Sequence, residues 1–346
     1  MRLLVTGGAG FVGSHYVRAL LSGGYAGSEN AQITVLDKLT YAGNRANLPL
    51  RHPSLKFVTG DVRDFGLLLN LLPGHDAVVH FAAESHVDRS IEAAAEFVSA
   101  NVEGTQTLLE ACRHTGVRRI VHVSTDEVYG SITEGSWTED CPLLPNSPYA
   151  ASKAGSDAIA HAYWKTYGLD VSITRCCNNF GPYQHPEKLI PLFVTNLLEG
   201  KRIPLYGDGR NVREWLHVDD HCRAVHLVLT QGRSGEIYNV GGGNARTNLA
   251  ITHRILELCG ADCSMIQWVA NRKGHDFRYS LNESKIRREL GYTPRIPFDR
   301  GLSETVAWYR ENPGWWKAVK YPSLKCIDAL APSESAVGTE RGEARR

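Results

Sequence analysis

Short apolar runs punctuate the first half of the chain at Arg2–Thr6, Ile33–Asp37, Leu55–Thr59, Ala77–Ala82, Arg119–Thr125 and Val171–Arg175. Each is rich in Val, Ile or Phe and is bounded by Gly, Asp or Pro, a pattern that predicts strands. Helical periodicity fills the gaps, notably over Val102–Thr115 and Tyr149–Tyr167. Strands alternating with helices predict an α/β fold. The expected core is a doubly wound parallel sheet covered on both faces, with ligands at the carboxyl ends of its strands. The rhythm loosens after about residue 176, where Asn178-Asn179-Phe180-Gly181-Pro182-Tyr183 and later Gly241-Gly242-Gly243 mark irregular chain. The expected organisation is a sheet domain of residues 1–176 with parts of 213–242, and a smaller, less regular domain of 177–212 and 243–320 that closes over it. From Ser333 the sequence is mainly Ser, Glu, Gly, Ala and Arg, so the tail 321–346 is expected to be largely disordered.

Composition narrows the possibilities. Hydrophobic residues make up 42% of the 346, and 38 basic residues against 37 acidic leave a formal net charge of +1. That balance offers no polyanion-binding surface, so no nucleic-acid partner is expected. No apolar run approaches the roughly 20 residues of a membrane span. The N-terminal Met1–Gly7 reads as a strand entering a glycine turn rather than as a signal peptide. The expected location is the cytoplasm. The eight cysteines are scattered, and Cys112, Cys176 and Cys177 sit within apolar stretches, as buried free thiols do. Cys259 and Cys263 form one four-spaced pair with no second pair, so no metal site is expected.

The glycine turn brings in candidate chemistry. Gly7, Gly10 and Gly13 lie three apart, between the first strand and the first helix. Their missing side chains let the backbone turn sharply and approach a pyrophosphate, while the helix N-terminus offers free N–H groups and partial positive charge. Asp37 closes the second strand, where a carboxylate accepts hydrogen bonds from adenosine ribose hydroxyls and repels a 2′-phosphate. The expected cofactor is therefore NAD. Asp61 follows the third strand and reads either as a cap on the adenine side or as an ordinary turn aspartate.

Two clusters suggest catalysis. Tyr149-Ala150-Ala151-Ser152-Lys153 puts Tyr149 and Lys153 on one helix face, one turn apart. A tyrosine of ordinary pKa, about 10, is a poor base at neutral pH. A nearby ammonium and a positively charged nicotinamide favour its phenolate, which makes Tyr149 a candidate base toward a sugar hydroxyl. Lys153 can also hold the nicotinamide ribose. The fifth strand ends in Ser124-Thr125-Asp126-Glu127. Its adjacent carboxyls read either as an acid and a base with split pKa values or as two solvated turn acids.

Together these stretches resemble the extended short-chain dehydrogenase/reductase superfamily, and within it the dTDP-glucose 4,6-dehydratases. The resemblance runs from Met1 to about Lys317. It rests on Thr6–Gly13, Asp37–Asn44, Ala82–Ser90, Ser124–Gly130, Tyr149–Lys153, Asn178–Tyr183, Pro186–Pro191 and Arg272–Asp276. It implies a Rossmann-type NAD-binding domain and a nucleotide-sugar-binding domain. The implied reaction is NAD-dependent dehydration of a nucleoside-diphosphate glucose, with dTDP-glucose foremost, to the 4-keto-6-deoxy sugar. In that scheme Tyr149 takes the 4-hydroxyl proton as hydride leaves carbon 4, and Thr125 binds the 4-oxygen. Glu127 then removes the carbon 5 proton, Asp126 protonates the leaving 6-hydroxyl, and hydride returns to carbon 6. Related epimerases and decarboxylases share the glycine and Tyr/Lys motifs but typically lack the Thr-Asp-Glu order; they are the alternative reading.

The resemblance also implies binding residues. The cofactor set is Gly7, Gly10, Phe11, Val12, Gly13, Asp37, Lys38, Thr40, Asp61, Val62, Ala82, Tyr149 and Lys153. Ser85 and His86 fall at the hexose. Asn178, Glu187, Lys188, Leu189, Pro204, Tyr206, Arg213, Asn248, Arg272, His275 and Tyr279 fall around the rest of the substrate. Arg213 and Lys188 suit a diphosphate. Tyr206 reads as a stack for the base or as a core aromatic, and Asp88 and Arg89 as structural. Three residues depart from the family pattern: Cys177 in place of a small hydroxyl residue, His185 in place of an aromatic, and Phe277 in place of an arginine. They leave the nucleotide (dTDP, UDP or another) open. Relatives form homodimers through a four-helix bundle, which maps here onto Val102–Thr115 and Tyr149–Tyr167.

Overall fold

The computed structural model describes residues 1–117 and 119–322; of the tail expected to be disordered, residues 323–346 lie outside the described residues. The strands are β1 (Arg2–Thr6), β2 (Gln32–Asp37), β3 (Leu55–Thr59), β4 (Ala77–His80), β5 (Arg119–Thr125), β6 (Asp170–Cys176), β7 (Asn178–Phe180), β8 (Ile203–Tyr206), β9 (Val212–His217), β10 (Ile237–Val240), β11 (Ala245–Thr247) and β12 (Ile266–Val269). Seven of them form one parallel sheet in the order β10-β6-β5-β4-β1-β2-β3. The chain winds outward from β1 to β3, returns to β4 beside β1, and winds the other way. Between β1 and β4 lies the switch point where such sheets open a crevice.

Both sheet faces are covered, which explains the unbroken apolar runs. Leu3 and Val5 of β1 join one core with Tyr16, Val17 and Val225, from the helices Phe11–Leu21 and Val218–Gln231. Leu4 joins the opposite core with Leu68, Leu108 and Ala160, from the helices Phe65–Leu71, Gly104–Thr115 and Pro148–Tyr167. Side chains alternate across a strand, so a strand buried on both sides has no polar face to show.

Local signals set the long helix. Ser147 caps it by accepting from Ala150 N at 3.1 Å, Pro148 occupies its first turn, and Gly168 ends it at φ +69. The other expected helix, Val102–Thr115, differs at its start. A π-helical turn over Val98–Glu103 precedes an α-helix that begins at Gly104. The smaller lobe contains β7, β9 and β11 in one sheet and β8 with β12 in another. Its core gathers Phe180, Phe193, Trp215, Ile251, Phe298 and Trp316. Since β7 follows β6 almost directly, this lobe stands at the carboxyl end of the large sheet.

Candidate active site

The glycine turn is as tight as its composition implies. Gly7 has φ +68, and a Cβ there would lie 2.5 Å from Ala82 N. Only glycine lets the turn after β1 pass the end of β4 so closely. A Cβ on Gly13 would lie 2.3 Å from Gly7 O, so the helix can close on the turn only without one. No side chain caps the helix Phe11–Leu21 at Gly10. Its first-turn N–H groups remain for an anion.

Asp37 ends β2 buried, accepting from Ala9 N at 2.9 Å and Leu39 N at 2.8 Å. Burial raises its pKa, and those two N–H groups oppose the rise. Asp61 is the reverse case. Hydrogen bonds from Arg63, at 2.6 Å, and Lys38, at 2.9 Å, hold its carboxyl far below the usual range against a modest burial effect. Asp61 thereby ties together the segments that follow β2 and β3.

One cleft of about 840 Å³ joins the glycine turn and Asp37 to Thr125–Glu127, Tyr149 and Lys153, a size that suits a small-molecule site. Gly7, Gly10, Phe11, Val12, Gly13, Asp37, Lys38, Thr40, Asp61, Val62 and Ala82 line one part. Ser85, Thr125, Asp126, Glu127, Tyr149, Lys153, Asn178, Glu187 and Lys188 line the other. The glycine cradle, the uncapped helix and Asp37 fit a dinucleotide such as NAD.

The Thr-Asp-Glu triplet is held by a 3₁₀ turn after β5. The Thr125 hydroxyl accepts from Glu127 N at 3.3 Å and donates to Asp126 Oδ1 at 3.3 Å. Asp126 is 2% exposed, and its Oδ2 has no partner among the described residues. Burial pushes its pKa well up, the Glu127 charge adds to this, and Arg213 opposes. Glu127 is half-buried at the cleft wall. Burial raises its pKa too, but Arg272, Arg213 and Lys188 pull it back. Both carboxyls are raised, Asp126 the more strongly; Arg213 opposes the rise in both, whereas Arg272 and Lys188 bear on Glu127 and favour its anion.

Tyr149 and Lys153 face the same cleft from the long helix. Burial and the Glu127 charge push the Tyr149 hydroxyl far up, with the Thr125 hydroxyl opposing. Lys153 donates to Val123 O at 2.8 Å, and burial lowers it to about 8 despite Asp157. Beneath them Asp157 meets Arg175 at 2.9 Å and His122 at 3.3 Å, which locks the helix to β5 and β6.

The remaining residues expected at the substrate stand outside the cleft lining, yet several bear on it. The Arg213 guanidinium donates to Asp276 O at 2.9 Å and lies 4.3 Å from the centre of the Tyr279 ring. Tyr279 donates to Asp276 Oδ2 at 2.6 Å. Arg272 faces Asp88 at 3.6 Å. Tyr206 packs edge-on to His275 with ring centres 6.1 Å apart and is exposed rather than a core aromatic. Pro204 lies in β8, Leu189 opens the helix Leu189–Leu198, and Asn248 opens the helix Asn248–Cys259. His86 caps a short helix by accepting from Arg89 N at 3.4 Å, and its Nε2 is 3.9 Å from Glu187. Of the three departures, Cys177 and His185 line the cleft, whereas Phe277 is exposed.

A family model described as GDP-mannose 4,6 dehydratase matches residues 4–305. A dTDP-glucose 4,6-dehydratase of Streptomyces niveus is 58% identical over 324 residues, covering 93% of this chain and 96% of that protein. The chain belongs to the dTDP-glucose 4,6-dehydratase family. Among solved structures, the dTDP-glucose 4,6-dehydratase DesIV of Streptomyces venezuelae, with NAD and dTDP bound, superposes with a TM-score of 0.91. It is 66% identical, covering 92% of this chain and all of that one. A UDP-glucose 4-epimerase of Thermotoga maritima is 30% identical, with a TM-score of 0.83 and coverage of 90% of this chain and all of that one. Dehydratase and epimerase thus share the scaffold.

Several cleft residues lie outside the expected binding set. Arg63 completes the Asp61 cluster from only two positions away, and an arginine so placed is a usable signal. Tyr41 sits under the Arg89 guanidinium at 3.8 Å. His221 lines the cleft with neither ring nitrogen partnered among the described residues. Trp315 and Val319 reach the cleft from the far end of the chain, where no short-range pattern points to it.

Proposed function

We propose that this chain catalyses the NAD-dependent dehydration of dTDP-glucose to the 4-keto-6-deoxy sugar, and that Thr125, Asp126, Glu127, Tyr149 and Lys153 carry it out. The observation that carries the reading is the pair of adjacent carboxyls, Asp126 buried and Glu127 facing Arg272 and Lys188, in the cleft that also holds the glycine cradle. NAD, held by the Gly7–Gly13 turn and Asp37, would supply a hydride acceptor for carbon 4 and a hydride donor for carbon 6. Tyr149 takes the 4-hydroxyl proton; because burial holds its own proton tightly, Lys153 and a cationic nicotinamide are needed to favour the phenolate. The resulting ketone acidifies carbon 5, and Glu127 removes that proton and gives it back to carbon 5 when hydride adds at carbon 6. Asp126 delivers its proton to the 6-oxygen, which leaves as water, and the carbon 5–carbon 6 double bond forms. Elimination of this kind needs one ionised and one protonated group on neighbouring atoms. Epimerisation and decarboxylation have no use for the acid.

Lys188, Arg213 and Arg272 suit the diphosphate, and Tyr206 with His275 suits the base. The preference for dTDP rests on the relatives' activity. The test offers purified protein dTDP-, UDP- and CDP-glucose and follows the alkali-induced absorbance of a 4-keto sugar. Signal with dTDP-glucose and no net loss of NAD is expected; silence with all three ends the proposal.

The same reading includes a homodimer. Ala151, Ala158 and Ala162 are exposed on the helix Pro148–Tyr167, with Gly155 between them, and small residues let two helices approach closely. Sedimentation should give twice 38.2 kDa; a monomeric mass would contradict it. Among the described residues no helix is long and apolar enough to cross a membrane. The seven described cysteines are free, which supports a cytoplasmic site of action.

A further inference from the structure

The helix Pro313–Lys320 is anchored in the small lobe, where Trp316 is buried in the core. Its neighbour Trp315 turns to the cofactor end of the cleft, which it and Val319 line together with Asn44 and Asn47. The Trp315 indole N–H donates to Asn47 Oδ1 at 2.9 Å across 268 residues of sequence. Asn47 is 3% exposed, and its own amide donates to Ala9 O, inside the glycine turn, at 2.9 Å. Arg18, from the helix after that turn, donates to Asn47 O at 2.6 Å. The same guanidinium lies 4.2 Å from the centre of the Tyr183 ring. Tyr183 packs on Trp308 and Trp315 at 4.5 and 5.4 Å. One buried asparagine therefore joins the glycine turn, the first helix and the last described helix.

We propose that Trp315 and Asn47 form a clasp over the cofactor end of the cleft, and that NAD leaves only when the helix Pro313–Lys320 lets go of Asn47. Both are positioning residues, acting through the glycine turn. The proposal rests on the dehydratase reading. A reaction that returns its hydride within each cycle regenerates NAD in place, so slow cofactor release leaves turnover unaffected. An enzyme that must exchange its cofactor at every turnover would be throttled by the same clasp.

The test measures release of radiolabelled NAD from the full-length holoprotein after dilution into excess unlabelled NAD. Trp315→Phe keeps a ring against Tyr183 and removes the donor; release should quicken about three- to tenfold, the worth of one neutral hydrogen bond. Asn47→Ala should quicken it at least as much. Because the links act in series, adding Trp315→Phe to Asn47→Ala should bring no further gain. A merely structural role would lower the melting temperature of the NAD-free protein and leave the rate of NAD release unchanged. If Asn47→Ala fails to fold, Asn47→Asp keeps the acceptor for Trp315 and removes the donor to Ala9. Release at the parental rate in Trp315→Phe, or additivity in the double variant, overturns the clasp. Protein that dehydrates normally but fails these tests loses the clasp alone; protein that binds no NAD loses the dehydratase reading with it.

Discussion

Replacing Asp126 by Asn should remove one transferable proton and little else. The side chain is buried, Oδ1 accepts from Thr125, and burial beside Glu127 pushes the carboxyl's pKa up, favouring the protonated form. A neutral carboxyl and a carboxamide are nearly isosteric, so no charge pair is broken. Folding stability should change by no more than about 1 kcal/mol. The amide can donate a hydrogen bond but cannot surrender its proton to a leaving hydroxyl. General acid catalysis contributes about 10²–10⁴-fold, or roughly 3–5 kcal/mol of barrier. Oxidation at carbon 4 depends on Tyr149 and should proceed near the parental rate. In a single turnover with NAD-loaded protein, the absorbance of reduced nicotinamide should rise normally and then persist. Release of the 4-keto-6-deoxy product should lag by about 10²–10⁴-fold. Equal slowing of both phases would refute the division of labour, and so would unimpaired elimination.

Gly7→Ala forces φ +68 on a residue with a Cβ and drives that Cβ to 2.5 Å from the Ala82 backbone. Conformational strain and overpacking together predict a loss of about 2–5 kcal/mol in urea unfolding of NAD-free protein. Gly10→Ala, at φ −74 and 3.3 Å from Gly7 O, should cost under about 1 kcal/mol; equal losses would contradict the geometry. Burial, with Lys153 adding to it, lowers His122 to about 4 against the pull of Asp157. The fold therefore favours its neutral form. That stability is fully present above the unfolded pKa of about 6.5 and is lost as pH falls toward 4, amounting to roughly 3 kcal/mol. His122→Asn should flatten this part of the stability profile, and an unchanged slope in urea titrations at pH 7, 6 and 5 would count against the assignment.

The large sheet is legible because burial on both faces writes itself into the chain as apolar runs. β1, β3 and β5 fall where the runs predict. The missing strand, β10, is four residues long and carries Asn239 in its middle. That asparagine is buried only because Tyr129 donates to it at 2.9 Å, its amide donates to Trp137 O at 2.9 Å, and its backbone N–H donates to Glu139 at 2.8 Å. Partners about a hundred residues away leave no local mark. The π-helical turn before Gly104 is hidden for a similar reason, since i→i+4 and i→i+5 spacings bury similar positions. Glycine spacing and the Tyr/Lys interval encode their geometry directly, and the structure gathers them into one cleft. What spacing could not supply is the asymmetry between Asp126 and Glu127, which depends on the deeper burial of Asp126 and on Arg272 and Lys188 bearing on Glu127 alone.

Asp37 has a consequence for anyone wishing to retune this scaffold toward NADP. Relieving repulsion of a 2′-phosphate would begin by removing that carboxylate. Both of its oxygens, however, already fasten backbone: one holds Ala9 in the glycine turn, the other holds Leu39 at φ +56. A neutral replacement would free a buried N–H inside the pyrophosphate cradle and release a non-glycine residue from a left-handed conformation. The proposed NAD preference and the loop architecture therefore fall on the same two atoms, and a redesign must replace the acceptors for Ala9 and Leu39 as well.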